Sequence, residues 1–184
     1  MSDIGTMAEK VGALLKARGE TVAVAESSAG GLISATLLAV PGASAYFKGG
    51  GTVYTSNAKR ILIDLPTTDM EANRAATQGH ALDLARAVRA RLDADWGIGE
   101  TGAAGPIGNR YGDPAGHSAL GVSGPKELAI ATATGRQDRY ENMLAFTAAA
   151  LDLLELCLQD CGESGEIPHG RGGGESGSHP EGAG

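Results

Sequence analysis

TVAVAESSAGGLISATLLAV, residues 21–40, is the stretch that decides the fold. Its first five residues are small or β-branched and carry no charge, the composition of a short buried strand. ESSAGG (26–31) follows, with side chains small enough for a tight turn. LISATLLAV then reads as a helix that Pro41 and Gly42 close. A buried strand running straight into a helix is the repeating unit of layered α/β domains.

The same alternation extends to both sides. Upstream, Ile4, Met7, Val11, Leu14 and Leu15 recur at helical spacing, with Gly19 as the stop. Downstream, GGGTVYT (49–55) reads as a strand weakened by glycine, and SNAKRILID as a helix capped by Ser56 and broken by Pro66. HALDLARAVRARLDA (80–94) predicts a long helix with Leu82, Ala85, Val88 and Leu92 as its apolar stripe. WGIGET (96–101) reads as a strand, and TGAAGPIGNRYGDPAG (101–116) as a loop, given its glycine and proline. HSALGVSG and ELAIATAT flank Gly124-Pro125 as a hairpin, and residues 138–160 form a final helix. The expectation is an α/β fold, a three-layer α/β/α sandwich with a mixed β-sheet.

The chain has 184 residues, a formal net charge of −7 and a pI near 5.0. An acidic balance argues against a general nucleic-acid binder, which carries a basic face. No apolar run suits a signal peptide or a membrane span, so a cytoplasmic location is expected, with no membrane partner. Cys157 and Cys161 stand four apart on one helix without a second Cys/His pair, which predicts reduced thiols and no metal site. From Gly162 the sequence is rich in Gly, Ser and Glu, and its two histidines, His169 and His179, sit in solvated linker. The predicted organisation is therefore one domain over 1–161 and a disordered tail over 162–184.

Three segments could carry chemistry. ESSAGG is either an anion cradle at a helix N-terminus or a tight turn capped by Ser27 or Ser28. The long 101–116 loop offers Asn109, Arg110 and Tyr111 to a ligand, with glycines that let main-chain N–H groups approach. In PGASAYFKGGGTVYTSNAK (41–59), Ser44, Tyr54 and Lys59 could form a nucleophile, a relay and a base. A lysine serves as a base once burial lowers its pKa toward neutrality. That requires the chain to double back at Gly49-Gly50-Gly51; otherwise Ser44 caps a turn, Tyr54 packs and Lys59 is solvated.

Taken in order, AESSAGG (25–31), PGASAYFKGG with VYTSNAK (41–59), ETGAAGP (100–106), DPAG (113–116) and the Asp138-Arg139 pair resemble the CinA family, specifically its C-terminal nicotinamide-nucleotide amidase domain. The resemblance covers roughly residues 5–160. It implies hydrolysis of nicotinamide mononucleotide (NMN) to nicotinic acid mononucleotide and ammonia. The catalytic set it implies is Ser44, Tyr54 and Lys59, with Lys59 buried and close to Ser44. Ser28, Gly30, Gly31, Thr101, Gly102, Ala103, Gly105, Asn109, Arg110 and Arg139 would contact the nucleotide, Arg139 through its phosphate-matching fork. No metal or other cofactor is implied, and a homodimer is. Larger CinA proteins carry a further N-terminal domain, expected to be absent here.

The chain also departs from the family pattern. Ala29 replaces a threonine, Ile107 a glycine and Asp113 a lysine, while Asn142 or Met143 stands where a second arginine is usual. Two alternatives to the NMN amidase therefore remain: a catalytically silent nucleotide-binding protein, and an amidase or esterase for another small substrate.

Overall fold

The computed structural model describes residues 3–160. Cys161 and the expected tail over 162–184 lie outside the described residues, as do Met1 and Ser2. In chain order the elements are α1 (Ile4–Arg18), β1 (Val22–Glu26), α2 (Leu32–Leu38), a 3-10 turn (Ala43–Ala45), β2 (Phe47–Thr52), α3 (Ser56–Ile63), α4 (Thr67–Ala72), α5 (Gln78–Leu92), β3 (Trp96–Ala103), β4 (His117–Ser123), β5 (Leu128–Ala133) and α6 (Arg139–Asp160). The strands form one sheet in the order β2-β1-β3-β4-β5. β1 is parallel to both β2 and β3, whereas β4 and β5 are added antiparallel. This is the expected mixed sheet, with helices on both faces.

Alternation along β1 assigns the two faces. Val22 and Val24 join Val11, Leu15, Ile33, Leu37, Phe146, Leu151 and Leu154 in the core under α1, α2 and α6. Ala23 and Ala25 face the other way, into a smaller core with Ile63, Leu84 and Val88 from α3 and α5. Small residues suit that second face because α5 lies very close to the sheet. A Cβ on Gly99 would strike the Ala81 carbonyl oxygen, and one on Gly97 the Ala85 carbonyl oxygen. The glycines of WGIGE are thus what lets the helix approach.

Several expectations shift. The buried face of α5 is His80, Ala81, Leu84, Ala85 and Val88, whereas Leu92 is exposed. Of the expected stripe Ala85 and Val88 are buried, while Leu82 and Leu92 turn away because alanine and glycine, not large side chains, mark the contact. α3 is capped by Thr55, whose side chain accepts the Ala58 N–H, rather than by Ser56. β3 continues through Ala103, so the loop starts later than its glycine content suggested; β4 supplies the partner strand that makes residues 101–103 extended. α4, after Pro66, was not expected.

Candidate functional site

The carboxyl ends of β1 and β3 lie side by side, with Ala25 opposite Gly99. Just past this pair each strand carries a buried glutamate, Glu26 and Glu100. Glu26 turns onto α2, accepting the N–H groups of Ile33 and Ser34 at 3.0 Å and the Ser34 hydroxyl at 2.6 Å. It thereby caps a short helix whose Gly31 N-cap offers no side chain. Glu100 turns into the ESSAGG loop. It accepts the N–H of Ser27 at 2.9 Å and of Ala29 at 2.8 Å, and the hydroxyls of Ser118 (2.9 Å) and Ser28. Burial pushes the Glu100 carboxyl up, and these four donors oppose the shift.

The anion-cradle reading of ESSAGG is therefore corrected in part: the internal Glu100 carboxylate already holds the N–H groups of Ser27 and Ala29. Among the described residues no hydrogen bond takes the main-chain N–H of Ser28 or Gly31. The Ser27 hydroxyl is likewise unengaged within the described residues, in a residue 8% exposed. The side chain of Met143 fills the space a Cβ on Gly30 would occupy, an apolar cover over the turn.

Lys59 reaches this same edge. It is carried inward by α3 and is 5% exposed, and its Nζ lies 2.8 Å from His80 Nε2 on α5. Desolvation lowers its pKa, and the charge of Glu100 works against that lowering. His80 is pushed down to about 4, first by burial and then by the neighbouring Lys59 charge. A buried amine under the charge of Glu100, and an unengaged serine hydroxyl on the turn whose main chain Glu100 holds, are groups that can serve proton abstraction and acyl transfer.

Ser44 is elsewhere. Gly49, Gly50 and Gly51 do not double back: they run extended in β2, paired with Ala23, Val24 and Ala25. Their lack of side chains serves α2, since a Cβ on Gly50 would strike the Ser34 hydroxyl. Ser44 sits exposed in the turn before the amino end of β2, where the Tyr46 carbonyl accepts the Val22 N–H. Tyr54 and Lys59 follow its carboxyl end. Phe47 to Thr52 spans about 16 Å of extended chain at ~3.3 Å per residue, so the strand keeps Ser44 from Lys59. Tyr54, 62% exposed, stands on the Lys59 side.

The expected ligand contacts divide similarly. Thr101 is buried at the site, where its hydroxyl oxygen accepts the Ala76 N–H at 3.1 Å. Gly102, Ala103 and Gly105 continue the same edge. Arg139 donates to the Gly105 carbonyl at 2.7 Å, tying α6 to the loop. Asn109 shapes its own loop, accepting the N–H groups of Tyr111 and Asp113. Arg110 stacks on Tyr111 in solvent with Arg74 on the same ring, and Ile107 is 81% exposed. Asp113, the charge reversal, is answered by Arg74 at 2.7 Å, which with Asn109 holds its carboxyl at about 2. Beside this pair a cleft of about 530 Å³ opens between Asn73–Gly79 and His117.

Ser27, His80 and Glu100 were missed as site residues. The available signals are a lone acid within an otherwise uncharged strand and a histidine in line with Leu84 and Val88. Among the described residues no helix is long and apolar enough to cross a membrane, and no group of three or more His, Cys, Asp or Glu could hold a metal ion.

Residues 4–158 match the family model for the CinA C-terminal domain. The chain belongs to that family. CinA-like proteins of Acaryochloris marina and of Anaeromyxobacter sp. (strain K) are 43% identical over 124 residues and 40% over 153. These matches cover 67% and 82% of this chain but 30% and 37% of the relatives, so the chain spans about a third of their length. The competence/damage-inducible protein CihA of Agrobacterium tumefaciens superposes with a TM-score of 0.79 at 30% identity, over 86% of this chain and 97% of that one. A CinA superfamily protein of Klebsiella pneumoniae reaches a TM-score of 0.81 at 22% identity, over 86% and 99%, a likeness of fold. The CinA-type fold thus places both internal glutamates, Lys59 and His80 at one end of its sheet.

Proposed function

We propose that this CinA-type domain is a nicotinamide-nucleotide amidase, hydrolysing the carboxamide of NMN to the carboxylate and ammonia. The observation that carries the proposal is the buried Lys59 amine at the same strand ends as the unengaged Ser27 hydroxyl. Lys59, as the neutral amine, takes the Ser27 proton, and Ser27 Oγ forms a bond to the carboxamide carbon. The free N–H groups of Ser28 and Gly31 are the donors for the resulting oxyanion. Collapse breaks the C–N bond as Lys59 returns the proton to the leaving ammonia. Water then hydrolyses the acyl-serine by the same route. Ser28 is less suited to attack: its hydroxyl is tied to the buried Glu100 carboxylate, whereas that of Ser27 is unengaged among the described residues. Tyr54 stands ready at the rim to contact the ligand. The adjacent 530 Å³ cleft lies in the size range of small-molecule sites.

A second reading, a silent nucleotide-binding domain, is favoured by Glu100 alone, because it occupies N–H groups that could otherwise receive an anion. Ammonia release from NMN, measured for the wild type, Ser27→Ala, Ser44→Ala and Lys59→Met, separates the two. Turnover that survives Ser44→Ala and falls at least a hundredfold in the other variants is the expected result, in line with loss of a nucleophile or base. Loss in Ser44→Ala with retention in Ser27→Ala would overturn the assignment. NMN binding without turnover by the wild type would support the silent reading.

A further inference from the structure

We propose that His80 is a positioning residue for Lys59, its neutral imidazole accepting an N–H from Nζ at Nε2 and so fixing where the amine's lone pair points; this rests on Lys59 being the base of the amidase. The contact is 2.8 Å between two buried side chains, His80 being 1% exposed. A lysine ammonium has only N–H groups to offer, so opposite it Nε2 is the acceptor and the ring proton belongs on Nδ1. Nδ1 is buried without a hydrogen-bond partner. The Asn73 carbonyl is near enough to favour the charged ring but does not close a bond.

A purely structural residue at this position has no need of that arrangement. Residue 80 lies on the same helix face as Leu84 and Val88, and a leucine there would leave no orphaned ring nitrogen. What the imidazole adds is the bond to Lys59. The ionisable neighbours are few: Lys59 faces His80 from α3, and Glu100 faces Lys59 from β3. Two cations side by side in a desolvated site are disfavoured, so His80 stays neutral, and an acceptor, down to about pH 4. Over the whole range in which a lysine base operates, Nζ therefore has one fixed partner. Of its substituents, the remaining N–H groups and the lone pair are left to face the ESSAGG turn.

The test uses His80→Leu and His80→Gln in the full chain, the glutamine retaining a side-chain acceptor. Thermal unfolding confirms that each variant folds. Lys59 titration is followed by NMR of protein carrying 13C-labelled lysine, assigned with Lys59→Met, and ammonia release from NMN is measured against pH. A bond to an ammonium is roughly twice as strong as one to a neutral amine. The Lys59 midpoint is thus expected to fall by about one unit in His80→Leu, and to recover in His80→Gln. The acid limb of the rate profile should move with it. kcat should drop about tenfold in His80→Leu at unchanged KM, as expected when a base is left mispositioned. An unchanged midpoint in His80→Leu, or a His80→Gln as impaired as His80→Leu, overturns the proposal. If the wild type releases no ammonia, the amidase reading fails, while the NMR midpoints still decide whether His80 governs Lys59.

Discussion

Replacing His80 by leucine should change how stability depends on pH, by an amount the structure allows to be worked out. An unfolded histidine protonates near 6.5, whereas in the folded protein burial and Lys59 hold His80 at about 4. Between those values the unfolded chain binds a proton that the native state refuses, so acidification favours unfolding. The folded pKa is depressed, hence the contribution is intact above pH 6.5 and is lost as pH falls toward 4. At ~1.4 kcal/mol per unit, the loss relative to pH 7 is about 2 kcal/mol at pH 5 and about 3 kcal/mol at pH 4. For a domain of this size 2 kcal/mol corresponds to a Tm lower by roughly 4–8 °C. The carboxylates of Asp113 and Glu127, each held at about 2 by an arginine, contribute elsewhere. Their folded values are depressed too, so their stabilisation is present above pH ~4.5 and is lost mainly below pH 4. Urea unfolding of the wild type and His80→Leu at half-unit intervals from pH 7.5 to 4.5 reports on the histidine, because every other group except its partner Lys59 keeps its surroundings. The expected difference curve is flat above pH 7 and slopes by about 1.4 kcal/mol per unit below 6. A wild type and variant with parallel stability profiles would refute the argument that His80 is held neutral.

Two further outcomes follow from the packing. Gly99→Ala places a methyl group against the Ala81 carbonyl of α5, backbone that cannot step aside; a loss of about 2–3 kcal/mol in chemical denaturation is expected, and a loss below 0.5 kcal/mol would show that α5 does not sit so close. Asn142→Leu removes the side chain that donates to the carbonyls of Ala104 (2.7 Å) and Arg136 (3.0 Å), leaving the buried Ala104 acceptor unmet; a cost of about 1–3 kcal/mol should appear with faster hydrogen exchange in the 103–105 segment, and unchanged exchange there would contradict this role.

Much of the architecture is legible in the chain because it rests on local patterning. The strand–turn–helix run at 21–40, the Gly124-Pro125 hairpin and the long terminal helix are set by hydrophobic period and breaker residues. The lysine-bearing segment 56–63 is readable as a helix for the same reason, and ordered motifs along residues 25–139 suffice to suggest the family. Errors fell where a glycine could mean two things. Gly49-Gly50-Gly51 looked like a place to reverse direction, and Gly97 and Gly99 carried no stripe to align α5. In each case the missing side chain accommodates a neighbouring helix, a partner distant in sequence.

The site shows the same division. That a lysine and small hydroxyl residues were available was plain from the sequence; which serine shares an end of the sheet with Lys59 was not. Parallel pairing of β2 with β1 sends Ser44 to the amino edge and Lys59 to the carboxyl edge, where Ser27 waits. Likewise, the local signals at Glu100 and His80 do not reveal their roles, which arise only when β3, α5 and the ESSAGG turn pack together and bury both side chains. Hydrophobic periodicity is a property of neighbours along the chain, so the sequence alone determined the elements and their layering. The direction of a strand, the burial of a charge and the pKa that burial sets belong to long-range contacts, and those only the tertiary structure decided.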